Sequence, residues 1–340
     1  MLAGLECDMA RWTLTQADRE FIARDIERFL PDRIFDAHAH LFCHEHFDAL
    51  PAGYRDMPSR LGLAGYYHFI DWIHPGGRTR GGLFFGLAFT GHRERNNQFV
   101  AAEVRDSPRD RDFAQMIIAP DMSAEAIYAG VKAGGFVGLK CYHTLAAGHE
   151  RTWAAPIEAY LPEPQAAVAG ELGLTITLHI VRDRALADPL NQATIRRYCE
   201  RYSDMRLILA HAGRGFNPLH TIEGIESLRG LDNVFFDTSA VTEAGAFEAI
   251  VDVMGHERLL YGSDFPVSHA RGRCVAIGDS FHWIYADELQ LAEKHAELRP
   301  VLVGLESLRA LRLACWRLRL SDGQIEDIFY NNATQVIPGK

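Results

Sequence analysis

Eight short stretches of the chain are almost continuously apolar, β-branched or aromatic. They are RIFDA (33–37), LFFGLAF (83–89), AQMIIA (114–119), FVGLK (136–140), LTITLH (174–179), RLILAH (206–211), NVFFDT (233–238) and RLLYGSD (258–264). Strands buried on both faces read this way, without the alternation of a half-exposed sheet. Helical patterns lie between most of them, at 123–133, 156–172, 190–203, 218–229 and 243–254. Eight strands alternating with helices predict an α/β fold, a (β/α)8 TIM barrel.

The flanks carry their own signals. Thr15 can cap a helix over QADREFIARDIERFL, with Asp18 in the capping-box position. Residues 1–32 therefore read as an N-terminal helical extension. The first connection, 41–82, is long and rich in aromatics, Gly and His. It predicts an insertion over the active-site face, because connections after the strands build that face. Residues 275–320 read as helical, and Ser321 with Gln324 can open a last short helix. No boundary divides 1–340, so a single domain is expected.

Composition narrows the class. The chain has 340 residues, 48% hydrophobic and 24% charged, with a formal net charge of −10. That balance argues against a nucleic-acid partner. Six cysteines (Cys7, Cys43, Cys141, Cys199, Cys274 and Cys315) are scattered without a C-x-x-C pair. They read as reduced thiols, and the expected location is cytoplasmic. Glu6, Asp8 and Arg11 interrupt any secretory core, and no apolar run of 18 residues is present, so no membrane partner is expected.

Polar residues recur where the apolar stretches end. His38 and His40 follow the first, Lys140 closes the fourth, His179 the fifth, His211 the sixth and Asp264 the eighth. Side chains at i and i+2 of a strand share a face, so His38 and His40 project together. A barrel gathers strand ends at one mouth, so residues distant in sequence can meet. Three imidazoles and a carboxylate suit zinc, with manganese or iron as options. A lone histidine at a strand end is usually structural; five strand ends together argue otherwise. His44 and His46 repeat the H-x-H spacing and read as loop residues. Arg182 and Arg214 follow the fifth and sixth stretches within three residues. With Lys140 they make the mouth cationic, and a guanidinium suits a carboxylate. The expected partner is a small anionic substrate, and a homodimer is compatible with the chain.

The motifs DAHAHL, GLK, TLHI, LAHAGRG and YGSDFP, with the C-terminal IFYNNATQVI, resemble the amidohydrolase superfamily. The resemblance is to its amidohydrolase-related branch of metal-dependent hydrolases and non-oxidative decarboxylases, and it spans roughly residues 33–337. It implies that His38, His40, His179 and Asp264 bind one divalent metal ion. It implies that His211 assists the chemistry or binds a second metal. In two-metal members the strand-four Lys is carbamylated and bridges the ions. The reading favoured here is one metal, with Lys140, Arg182 and Arg214 aimed at substrate.

The expected reaction is hydrolysis of an amide, lactone or ester-like bond by metal-activated water, with Asp264 and His211 as the catalytic groups. Decarboxylation of a small aromatic or unsaturated acid is the alternative. A uronate-type isomerase and a catalytically inactive metal-binding scaffold are the remaining readings.

Overall fold

The computed structural model describes residues 12–50, 57–89, 91–286 and 298–337. Within them the eight apolar stretches form eight parallel strands paired in chain order. These are β1 (Ile34–His40), β2 (Thr79–Phe85), β3 (Asp112–Ile117), β4 (Gly138–Tyr142), β5 (Thr175–His179), β6 (Arg206–Leu209), β7 (Val234–Asp237) and β8 (Leu259–Leu260). The ring closes where the segment after β8 runs beside β1. Ala37 N donates to Tyr261 O (2.8 Å), Asp264 N to His38 O (2.9 Å) and His40 N to Phe265 O (2.8 Å). This is the (β/α)8 barrel that the alternation predicts.

The lower interior is apolar. Phe35, Ala37, Leu83, Phe113, Ile208, Phe235 and Leu260 meet inside the ring. Ala333, Val336 and Ile337 of the C-terminal helix plug it from below. Asn332 holds that plug by donating to the carbonyls of His256 (2.8 Å) and Leu259 (3.0 Å). The NNATQV segment is thus the floor of the barrel, far from its mouth.

Strand boundaries depart from the sequence reading in ways that matter for the site. β2 starts at Thr79, four residues before the expected Leu83. Gly81 and Gly82 fall in the stretch expected to be the first connection, yet a Cβ on Gly81 would come within 2.3 Å of Arg111 O. The glycine is there for a close backbone approach between strands. β4 is shifted the other way, so Lys140 lies at its centre and does not close it. β1 carries an irregularity: Asp36 pairs with Gly82 but Ala39 with Phe84, so β1 has one extra residue there. Ala37 therefore joins the inner cluster, whereas Ala39 joins the outer core. Strict alternation would have put both alanines on one side.

The expectation of a helix from 275 is overturned. Gly272–Ile277 and Ser280–Tyr285 form an antiparallel hairpin around Gly278-Asp279. Gly278 has φ +57°, which the tight turn needs. Two aromatic and β-branched runs separated by Gly-Asp are a hairpin signal that outweighs helical spacing. Residues 287–297 lie outside the described residues, and helix Val303–Arg317 takes up the rest of the expected span. Helix Arg93–Arg105 was not anticipated. It lacks a clear apolar stripe and is tethered by amides: Asn97 bonds both N and O of Ile117 (2.9 Å each).

The capping predictions hold. Thr15 and Asp18 form a capping box on Gln16–Phe21, and Ser321 and Gln324 form one on Asp322–Glu326. Helix Leu63–Ile70, inside the long first connection, packs on the outer face of β1 and β2 through Tyr66 and Phe84. No helix among the described residues is long and apolar enough to cross a membrane.

Candidate metal centre

His38, His40 and Asp264 bring their donor atoms within 4.8 Å of one another. Asp264 Oδ1 lies 3.4 Å from Nε2 of each imidazole. The three come from two strand ends that are neighbours only because the barrel closes. Asp264 has φ +59°, a conformation that costs a non-glycine residue about 1–2 kcal/mol and persists where the surroundings impose it. Its loop is held from below by Asp36. That buried carboxylate accepts from Ser263 N (2.8 Å), Ser263 Oγ (2.5 Å), Tyr66 OH (2.8 Å) and His38 N (3.1 Å).

Three imidazoles of the mouth are oriented through Nδ1. His38 Nδ1 donates to Asp237 Oδ2 (2.8 Å), His40 Nδ1 to Gly86 O (2.9 Å) and His211 Nδ1 to Ser239 O (2.9 Å). A proton on Nδ1 leaves Nε2 as a bare lone pair. Burial, aided by the nearby Lys140 cation, pushes His38 down to about 3, so its ring is neutral at physiological pH. Burial raises Asp264, but the neighbouring imidazoles, His211 first, outweigh it and hold the carboxyl below its ordinary value. Bare imidazole nitrogens around an ionised carboxylate fit a divalent cation of the zinc, manganese or iron class.

Lys140 is fully buried, and its Nζ lies 3.4 Å from His38 Nε2 and 4.3 Å from the Phe85 ring centre. Burial pushes it down to about 8, opposed by the charges of Asp237 and Asp264. His179 is not in the compact three-residue group. Its ring is 4.8 Å from that of His211, which is 5.0 Å from that of His38. His179 Nδ1 is buried without a hydrogen-bond partner. His211 lies just beyond β6, in a turn where His211, Ala212, Gly213 and Arg214 all have φ between +54° and +67°. Three of the four are not glycine, so the turn is costly and persists where its surroundings hold it.

The two arginines part company. Arg182 Nε lies 2.8 Å from Asp188 Oδ2, and Nη1 donates to Ala154 O (3.1 Å). Asp188 in turn caps helix Pro189–Arg201. Arg214 has a buried Nη1 with no hydrogen-bond partner among the described residues. Two further groups near it are also unsatisfied. Tyr160 is fully buried and its hydroxyl hydrogen finds no acceptor; His143 Nδ1 is buried and unpaired. The His143 ring is 5.3 Å from that of His179. Beside them Phe216 packs between His211 and the hairpin residues Phe281 and Trp283.

Sequence reasoning missed Asp36, Asp237, His143 and Tyr160. A charged residue inside an apolar strand (FDA, FFD) was a usable signal for the first two. His143, three residues after Lys140, was a weaker one. Nothing in the chain's pattern marks Tyr160.

The amidohydrolase family profile matches residues 35–338. No curated protein sequence matches the chain. Among solved structures, the chain is similar to a probable 2-pyrone-4,6-dicarboxylic acid hydrolase from Acinetobacter baumannii with citric acid bound. Identity is 16%, with 90% of this chain and 99% of that one covered and a TM-score of 0.57. An amidohydrolase from Burkholderia multivorans with bound zinc is 15% identical, covering 91% and 100%, with a TM-score of 0.57. A dihydroxybenzoic acid decarboxylase from a Polaromonas species, with manganese and 2-nitroresorcinol, is 14% identical, covering 90% and 96%, with a TM-score of 0.54.

Proposed function

The chain belongs to the amidohydrolase family, and on that premise we propose that it is a metal-dependent hydrolase opening a lactone, amide or ester-like bond of a small carboxylate. The observation that carries this reading is a juxtaposition. A His-His-Asp cluster lies, across His179 and His211, near buried polar atoms of Arg214, Tyr160 and His143 that hydrogen bonding among the described residues does not fully satisfy. His38, His40 and Asp264 would hold one ion, with His179 as the neighbouring fourth ligand. When bound, such an ion polarises a carbonyl and makes water acidic enough to ionise near neutral pH.

The chain's own residues supply the rest. Asp264, ionised at neutral pH, takes the proton of the attacking water and returns it to the leaving group. His211, fixed through Nδ1 by Ser239 O, presents Nε2, which donates to the oxygen that gains charge once it carries a proton. Arg214 Nη1, Tyr160 OH and His143 supply donors for a substrate carboxylate, which would satisfy groups otherwise buried unpaired. Lys140 adds positive charge between the two halves. Lactone-dicarboxylate hydrolases of the same fold support this substrate class.

Decarboxylation is the second reading, favoured by the aromatic wall of Tyr142, Phe216, Phe281 and Trp283. Such a wall suits a planar unsaturated acid. The test is metal-loaded protein offered 2-pyrone-4,6-dicarboxylate, other carboxylated lactones and hydroxybenzoates, with ring opening and CO2 release followed separately. Lactone opening supports the proposal, CO2 release selects the second reading, and turnover of neither class with metal bound overturns both.

A further inference from the structure

The loop leaving β1 carries a second concentration of metal-binding side chains in the stretch CHEH, residues 43–46. Cys43 Sγ, a Glu45 carboxylate oxygen and a His46 ring nitrogen lie within 4.8 Å of one another. Local backbone structure brings them together. Cys43 ends a two-residue strand paired with Arg60–Leu61, and His44–His46 form a single 3-10 turn. Residues three apart in such a turn stack on one side, so Cys43 and His46 face the same way. His46 O accepts from His92 N (2.8 Å) and His44 N donates to Ser59 O (2.8 Å), which anchors both ends of the turn.

The two anchored donors are buried: Cys43 is 3% exposed and His46 7%. Glu45, by contrast, has a solvent-exposed side chain that is free to swing, with Oε1 3.9 Å from His46 Nε2, too far for a hydrogen bond. His46 Nδ1 is buried against the Asn96 side chain, which leaves Nε2, on the Glu45 side, as the ring's donor atom. Burial pushes His46 below its ordinary value, so the ring is neutral. His44 is otherwise engaged, stacked flat on Phe42 at 5.8 Å.

We propose that Cys43, Glu45 and His46 form a second divalent-cation site, of the zinc class, separate from the His38/His40/Asp264 centre and independent of the reaction it performs. Sulfur, imidazole and carboxylate together are a zinc-type donor set, and three protein ligands leave one position for water. Bond lengths of roughly 2.0–2.3 Å place tetrahedral donors about 3.5 Å apart. A spread within 4.8 Å closes to that mainly by rotation of Glu45. On binding, the Cys43 S–H bond breaks, a sulfur–metal bond forms and the proton leaves to solvent. Arg60 Nη1, 3.5 Å from Cys43 Sγ and held through Nη2 by Glu103 (2.9 Å), then donates to the bound sulfur as an outer partner.

Cobalt(II) tests this directly, since the first centre contains no sulfur. Metal-free full-length protein is titrated with cobalt chloride. The expected result is a thiolate-to-cobalt charge-transfer band in the near ultraviolet and a second bound equivalent. Cys43→Ser should abolish the band and remove that equivalent, whereas His38→Ala should leave the band intact. Glu45→Gln changes an exposed residue and leaves folding unaffected; it should weaken cobalt at this site by about 10-fold or more. No band in the wild-type protein at saturating cobalt, or a band that survives Cys43→Ser, overturns the proposal. So does an unchanged affinity in Glu45→Gln.

Discussion

Asp237→Asn isolates the part played by the buried carboxylate behind His38. Asp237 Oδ1 accepts three donors: His211 N (2.9 Å), Ser239 N (3.1 Å) and the Ser239 hydroxyl. Oδ2 accepts only His38 Nδ1. In the Asn variant the amide oxygen must stay with the three donors, so its NH2 faces Nδ1. Two N–H groups cannot bond each other. Either His38 keeps its tautomer and loses a charge-assisted hydrogen bond, which costs about 1.5–3 kcal/mol, or its proton moves to Nε2. The second course removes the lone pair that the metal needs. Both weaken the site, by about 10–100-fold in metal affinity, or about 1.4–2.8 kcal/mol. Zinc affinity is measured by competition with a chromophoric chelator, with circular dichroism and a thermal melt checking the fold. A folded Asp237→Asn protein that binds zinc as tightly as the wild type would refute the reasoning, and His38 would then not depend on Asp237 for its tautomer.

Three further outcomes are expected. Asp264→Asn keeps an oxygen donor but cannot accept a proton; it should retain much of its metal and lose roughly 10²–10⁴-fold in kcat on whatever substrate the panel identifies, and near-normal kcat would pass the proton-carrier role to His211. Gly262→Ala places a Cβ 2.9 Å from His38 Cβ, between two barrel strands that cannot part; it should destabilise by about 1–3 kcal/mol and lower metal occupancy, and an unchanged melt with full metal content would count against it. His74 is fully buried between Thr79 and Tyr261, and burial pushes it down to about 3 from 6.5. The unfolded chain therefore binds the proton first, so this stabilisation is complete above pH 6.5 and lost as pH falls toward 3, at up to about 1.4 kcal/mol per pH unit. Urea unfolding of wild type and His74→Gln between pH 4.5 and 7 should differ in slope by about one proton; parallel curves would contradict this.

Much of this protein is readable along the chain because burial leaves a one-dimensional trace. Strands covered on both faces become continuous apolar runs, and the polar residues that end them stand out against that background. His38, His40 and Asp264 are legible for this reason, as are the barrel and the capped terminal helices. The trace records that a position is buried and not what it is buried against. Asp237 and His38 are 199 positions apart, and only ring closure makes one the orienting partner of the other. Asp36 looks like any strand residue until Ser263 and Tyr66 arrive on it. Arg182 and Arg214 carry equal weight in the sequence, yet Asp188 pairs with the first, whereas Nη1 of the second is buried without a hydrogen-bond partner among the described residues. The extra residue in β1 and the glycines inside β2 were likewise decided in three dimensions. There the spacing between neighbouring backbones, and not local preference, determines which residue faces the mouth.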